Sequence, residues 1–237
     1  MSNMLPRMVT PKYDMIVPST GEAVTYRPYV VKEEKILLIA MESQDETQIE
    51  KAVTDMLKAC VESKIDMKKL TIFDIEFMFI TLRSKSVGEG IKINPSCEHC
   101  EERTEVKIDL EQVRVANLED AVDMHIEITD DISIDLKWHT LADRLSAAER
   151  ETQTDAVINM MAHSIDTIYS GEEIHSAKDA TKKEVVEFVE SLNSDQFAKV
   201  IEVLSNTPRL SYKLEYDCTE CGKKNERELS GLIDFFQ

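Results

Sequence analysis

Apolar residues along this chain recur at two periods, and the switch between them outlines the elements. Tyr13–Val17 and Ala23–Tyr29 alternate around Pro18-Ser19-Thr20-Gly21. That pattern predicts an N-terminal β-hairpin, with Gly21 available for a positive φ. Residues 1–12 carry Pro6 and Pro11 and little pattern, and read as a flexible arm. Val31–Glu42 holds Val31, Ile36, Leu37, Leu38, Ala40 and Met41, enough for a buried helix. A strand is the competing reading for so short a run. From Asp45 to Glu62, residues Ile49, Val53, Met56, Leu57 and Cys60 fall three and four apart, the stripe of an amphipathic helix. Cys60 lies on that stripe and reads as a core thiol. Thr71 stands where an N-cap belongs for Ile72–Arg83, the most apolar stretch and the expected central helix, which Gly88 and Gly90 end.

Farther along, His125–Ile128 and Ile132–Trp138 predict another hairpin turning on Asp130-Asp131. Asp143–Ile165 reads as one helix, Tyr169–Glu172 as a turn and Ser176–Ala180 as a polar loop. Thr181 and Glu184 form a capping box for a helix to about Leu192, and Ser194 caps another to Leu204. The fold class expected from this pattern is α+β and mainly helical. It has an N-terminal β-hairpin and a zinc-ribbon-like pair of β-hairpins split by a long helical insertion. In domain terms, an arm at 1–12 precedes one α+β domain at 13–237. Within that domain 91–110 and 210–229 share the ribbon, and 111–209 is the mainly helical insertion.

The ribbon reading comes from the cysteines. Four of the five form two Cys-x-x-Cys pairs, Cys97/Cys100 and Cys218/Cys221. Tyr212-Lys213-Leu214 precedes Cys218 as Ile91-Lys92-Ile93 precedes Cys97, and Glu226 and Leu229 match Glu105 and Ile108 beyond. A Cys-x-x-Cys turn presents two thiolates to one ion, and two turns complete a tetrahedral zinc site with no open position. Such a zinc is structural. An iron–sulfur centre takes the same ligands and stays the alternative. A thioredoxin-like redox pair needs one Cys-x-x-Cys after a βαβ pattern, which is absent. His99 inside the first pair reads as an exposed turn residue beside four sufficient cysteines.

Composition narrows the function. The 237 residues carry 28 Lys and Arg against 46 Asp and Glu, a formal charge of −18. Phosphate backbones and anionic lipid are repelled by such a surface, so nucleic-acid and membrane binding are disfavoured. No apolar run approaches the roughly 20 residues that span a bilayer, and Met1–Met8 lacks the apolar core of a secretory signal. A cytoplasmic setting follows as an expectation, where disulfides are rare. No phosphate-cradling Gly-rich loop, Gly-x-Ser-x-Gly elbow or His-Glu-x-x-His motif occurs, so no enzyme is expected. Lys32-Glu33-Glu34-Lys35 reads as a solvated face. Arg83 and Lys85 read as a solvated helix end, favourably placed near the negative pole of the helix.

Two stretches carry a family resemblance. One runs from Pro18-Ser19-Thr20-Gly21 through Val24 and on from Arg27-Pro28-Tyr29 to Leu38. The other is Leu70-Thr71-Ile72-Phe73-Asp74-Ile75-Glu76-Phe77, running into Leu82-Arg83-Ser84-Lys85-Ser86-Val87-Gly88-Glu89. Together with the paired Cys-x-x-Cys motifs they resemble the baseplate hub assembly proteins of T-even-type bacteriophages, over most of 13–110 and again about 210–237. The resemblance implies a non-enzymatic viral late protein, either a hub subunit or a factor that promotes hub assembly. It would act in the host cell cytoplasm or the virion baseplate, with hub and tail proteins as partners. The alternative is a zinc-ribbon regulator that binds RNA polymerase or another host protein.

Overall fold

In the computed structural model, which describes residues 8–43, 45–118, 123–147 and 153–235, the chain opens with strands β1 (Tyr13–Ile16) and β2 (Ala23–Tyr26). Helices α1 (Val31–Glu42), α2 (Glu46–Cys60) and α3 (Ile72–Val87) follow. Strands β3 (Gly90–Ile93), β4 (Val106–Asp109), β5 (Arg114–Ala116), β6 (His125–Glu127) and β7 (Ile132–Leu136) come next. Then come α4 (Leu141–Ala147), α5 (Gln153–Ser164), β8 (Ile165–Ser170), β9 (Glu173–Ser176), α6 (Lys182–Glu190) and α7 (Ser194–Ser205). Strands β10 (Arg209–Asp217) and β11 (Lys224–Ser230) end the series. The chain divides into two units. One takes the described parts of Met1–Met67, Phe73–Arg114 and Leu210–Gln237, the other those of Lys68–Ile72 and Val115–Arg209.

The first unit is organised on α3. Its side chains Phe73, Ile75, Met78, Phe79, Ile80 and Leu82 are buried around most of the helix, as expected of the most apolar segment. β1 and β2 pair antiparallel from Tyr13↔Tyr26 to Ile16↔Ala23, and Gly21 has φ 70° at their turn. That turn is tied to α3 by a fully buried carboxylate. Asp74 accepts the Ser19 N–H at 2.8 Å and the Ser19 hydroxyl at 2.6 Å. The two stretches that carry the family resemblance therefore meet at one hydrogen-bonded point. Glu76 Oε1 in turn accepts the Leu232 N–H at 3.2 Å and anchors the C-terminal turn.

Helix α1 is a helix, not a strand, but it is not a buried one. Glu33 reaches back to the Val30 N–H at 3.0 Å and to Arg27 at 3.0 Å, which fixes the helix start. Glu33, Leu37 and Ala40 face inward. Val31, Ile36, Leu38 and Ile39 stay 78, 51, 53 and 56% exposed. Four large aliphatic side chains in water on twelve residues is more than scattered surface apolarity.

The second unit overturns the expectation of a mainly helical fold with a mainly helical insertion; the chain is mixed α+β. Its centre is a four-stranded antiparallel sheet in the order β6-β7-β8-β9. Ile126, Ile128, Ile134 and Leu136 point from this sheet onto Met161 and Ala162 of α5, Val185 and Val189 of α6, and Val200 of α7. The error has a physical source. In Ile165–Ser170 the apolar Ile165 and Ile168 lie three apart, at helical rather than strand spacing, because the pairing with β7 slips between Asp135 and Leu136 and skips Asp166; Ile165 also continues the helical stripe of α5. The single helix expected over Asp143–Ile165 is instead α4 and α5, with 148–152 outside the described residues, and Ile165 already belongs to β8. The expected turn at Tyr169–Glu172 shortens to Gly171-Glu172, with Gly171 at φ 58° between β8 and β9. The Thr181–Glu184 capping box forms as expected. Asn193, not Ser194, caps α7, because its side chain accepts the Asp195 and Gln196 N–H groups.

Candidate metal centre

Two hairpins of the first unit carry the cysteines. β3 and β4 pair from Gly90↔Asp109 to Ile93↔Val106, and the chain turns between them through Cys97 and Cys100. β10 and β11 pair from Ser211↔Ser230 to Asp217↔Lys224, and turn through Cys218 and Cys221. The turns are built alike. The Cys97 N–H donates to the Glu102 carbonyl at 2.8 Å, and the Glu101 N–H to the Cys97 carbonyl at 2.9 Å. Their counterparts are Cys218 N–H to Lys223 at 2.9 Å and Gly222 N–H to Cys218 at 3.0 Å. Buried Ile93 and Leu214 hold equivalent places before the first cysteine, and buried Ile108 and Leu229 after the second. The sequence echo is thus a structural one.

Between turns, Cys97 Sγ lies 3.7 Å from Cys221 Sγ and Cys100 Sγ 3.6 Å from Cys218 Sγ, and all four sulfurs fall within 4.8 Å of one another. A tetrahedral ion bonded to four thiolates at about 2.3 Å sets its sulfurs about 3.8 Å apart, whereas a disulfide bond is about 2.05 Å. The spacing therefore suits one metal ion among four sulfurs. His99 is exposed and stands outside this group of potential ligands; its backbone N–H, not its ring, points to Cys97 Sγ at 3.4 Å.

Electrostatics at the sulfurs favours a bound cation. Burial pushes the Cys97 thiol up, but the His99 and Cys100 N–H groups outweigh it and bring it well below the ordinary thiol range. The Cys221 and Glu220 N–H groups lower Cys218 in the same way. At Cys100 the Glu102 N–H favours the thiolate, yet burial and the three neighbouring sulfurs win and push it up. Four sulfurs this close cannot all ionise unaided. A divalent cation removes that conflict and takes all four as thiolates.

Polar side chains bolt the turns to each other, and the sequence reading missed them. Asn225 is buried and accepts the Glu98 N–H at 3.0 Å. Buried Thr104 accepts the Thr219 N–H at 3.3 Å, and the Tyr216 hydroxyl donates to the Ser96 carbonyl at 3.0 Å. Each bond crosses from one hairpin to the other, so no local spacing announces it. One further difference was legible in the echo. The residue after the second cysteine is left-handed in both turns, Glu101 at φ 64° and Gly222 at φ 67°. Glycine takes that conformation without cost, whereas a residue with a Cβ is strained by about 1–2 kcal/mol. Glu101→Gly should therefore raise unfolding stability by about 1 kcal/mol and Gly222→Ala lower it by about as much, read by chemical denaturation. Equal stabilities for both variants and the parent would contradict this account of the turns.

No curated protein and no solved structure matches the chain. Among the described residues, no helix is long and apolar enough to cross a membrane. The family model described as "T4 bacteriophage base plate protein" matches residues 10–237, a stretch that takes in the N-terminal hairpin, both cysteine turns and the sheet between them. The chain belongs to the T4 bacteriophage base plate protein family.

Proposed function

We propose that this protein works in building the baseplate hub, as an assembly factor or hub subunit, through protein–protein contact and without catalysis. The observation that carries this reading is the exposed aliphatic face of α1, formed by Val31, Ile36, Leu38 and Ile39. An amphipathic helix with its apolar face turned outward is a common docking element, because covering it removes apolar surface from water. Membership of a baseplate family makes hub and tail proteins the first partners to consider. The setting is the host cytoplasm during assembly, or the finished baseplate.

The polar chemistry supports a binding role over an enzymatic one. Ser164 Oγ meets His139 Nε2 at 2.7 Å, a serine–histidine contact of the kind a nucleophile and its base would make. Ser164 is fully buried, and both groups also contact the Met160 carbonyl, at 3.0 and 2.9 Å. This serine is shielded from substrate and engaged as a helix-end anchor.

Zinc is the metal this reading assigns to Cys97, Cys100, Cys218 and Cys221, as a structural ion. Four thiolates with no open position suit zinc, and sulfurs within 4.8 Å of one another surround a single ion more closely than a multi-iron cluster allows. Metal analysis of protein purified under reducing conditions should return one zinc per chain. Iron in its place, or no metal, would count against the assignment.

For the assembly role, each candidate hub protein is co-expressed with this chain and the mixture resolved by size-exclusion chromatography. A complex is expected with at least one. The double variant Leu38→Glu, Ile39→Glu should weaken that complex about tenfold or more, since a buried aliphatic contact at an interface centre is lost twice. Its folding should be unchanged, because both side chains are already in water. No complex with any hub protein would sink the proposal. A complex that tolerates the double variant would take α1 out of it.

A further inference from the structure

Within the second unit, Lys137, His163, Lys178 and Lys182 line a cavity of about 230 Å3. The rest of its wall is aliphatic: Ala162, Ile165, Ala177 and Val185. Three lysines around one cavity stand out in a chain of net charge −18. Lys137 is answered by Asp143 at 3.3 Å and Lys178 by Asp166 at 3.0 Å. Lys182, in the first turn of α6, has no ion pair among the described residues. His163 Nε2 is buried and has no hydrogen-bond partner. A buried ring nitrogen left unpaired is costly, and such groups normally find a partner in protein, water or ligand.

The groups around the imidazole are consistent with a site awaiting negative charge. Burial, and then the charge of Lys182, hold His163 below its ordinary range. Asp143 pulls the other way, while His139 and Lys137 add to the lowering. An anion placed between Lys182 and His163 reverses that balance. The aliphatic wall selects among anions. A phosphate gains nothing from Ile165 and Val185, which offer no donor to its oxygens. A carboxylate can put both oxygens on the cationic side and its hydrocarbon on the wall.

We propose that this cavity binds a carboxylate on a short aliphatic stem, held by Lys182 and His163, with the stem against Ala162, Ile165, Ala177 and Val185. No part of it belongs to the cysteine centre or to α1, so it stands independently of the hub assignment.

The test is a proton NMR titration of the intact chain, following the His163 imidazole, assigned by its disappearance in His163→Gln. Butyrate, acetate and inorganic phosphate are compared at constant ionic strength. A saturable shift of His163 is expected with butyrate, at an affinity about tenfold above acetate, because two more methylene groups leave water. Lys182→Gln should weaken butyrate about tenfold through loss of one charge-assisted hydrogen bond, with the melting temperature unchanged, since Lys182 is exposed. Phosphate binding as tightly as butyrate would overturn the carboxylate assignment. Absence of a saturable shift, or a Lys182→Gln protein that binds like the parent, would overturn the site.

Discussion

Four cysteine sulfurs within 4.8 Å of one another are the constraint on which the first unit turns. Thiolates at that distance repel strongly, and a bound cation would relieve the repulsion. The two turns that supply them lie far apart in the chain, with residues 101–217 between. Cross-linking the ends of a loop on the order of 100 residues removes unfolded-state entropy worth about 4.7 kcal/mol on the chain-entropy account. An ion bound by all four cysteines would act in the same sense, provided it is held only in the folded state. The hydrogen bonds through Asn225, Thr104 and Tyr216 then set the angle at which the hairpins meet. They measure 3.0, 3.3 and 3.0 Å, the first two are part-buried, and all cross between the hairpins, so they hold the two cysteine turns in register with each other.

The four-cysteine cluster joins the chain's middle to its C-terminal hairpin, and α3 collects the remaining ends. Asp74 holds the N-terminal turn and Glu76 holds the C-terminal turn, two residues apart on one helix. With those ends secured, α1 can present Leu38 and Ile39 to water without unravelling, because Leu37 and Ala40 anchor its other face. A docking helix needs that rigidity, since ordering a loose segment on binding would subtract from the affinity gained.

What was legible in the sequence follows from locality. Cys-x-x-Cys spacing is local, so the ligand set Cys97, Cys100, Cys218 and Cys221 could be read, and the flanking echo located both hairpins. The capping box at Thr181 and the turn at Gly21 were legible for the same reason. Strand β8 was not, because Ile165 and Ile168 keep the helical spacing of the stripe before them across a slipped register; only pairing with β7 decides. The exposure of α1 was hidden too. An apolar pattern says which residues avoid water but not whether this chain supplies the cover. Lys137, His163 and Lys182 come from three separate segments, so their meeting depends on the four-stranded sheet, of which only the β6–β7 hairpin could be read from the sequence.

The central claim is that one metal ion holds the two cysteine hairpins together, and amide hydrogen exchange before and after chelation tests it most directly. The account predicts that metal removal strips protection from β3–β4 and β10–β11, with Ile93, Leu214 and Leu229 as reporters, and that zinc restores it. The β6–β9 sheet, which contains no cysteine, should keep its protection throughout. Unchanged exchange in both cysteine hairpins after complete metal removal would contradict the account.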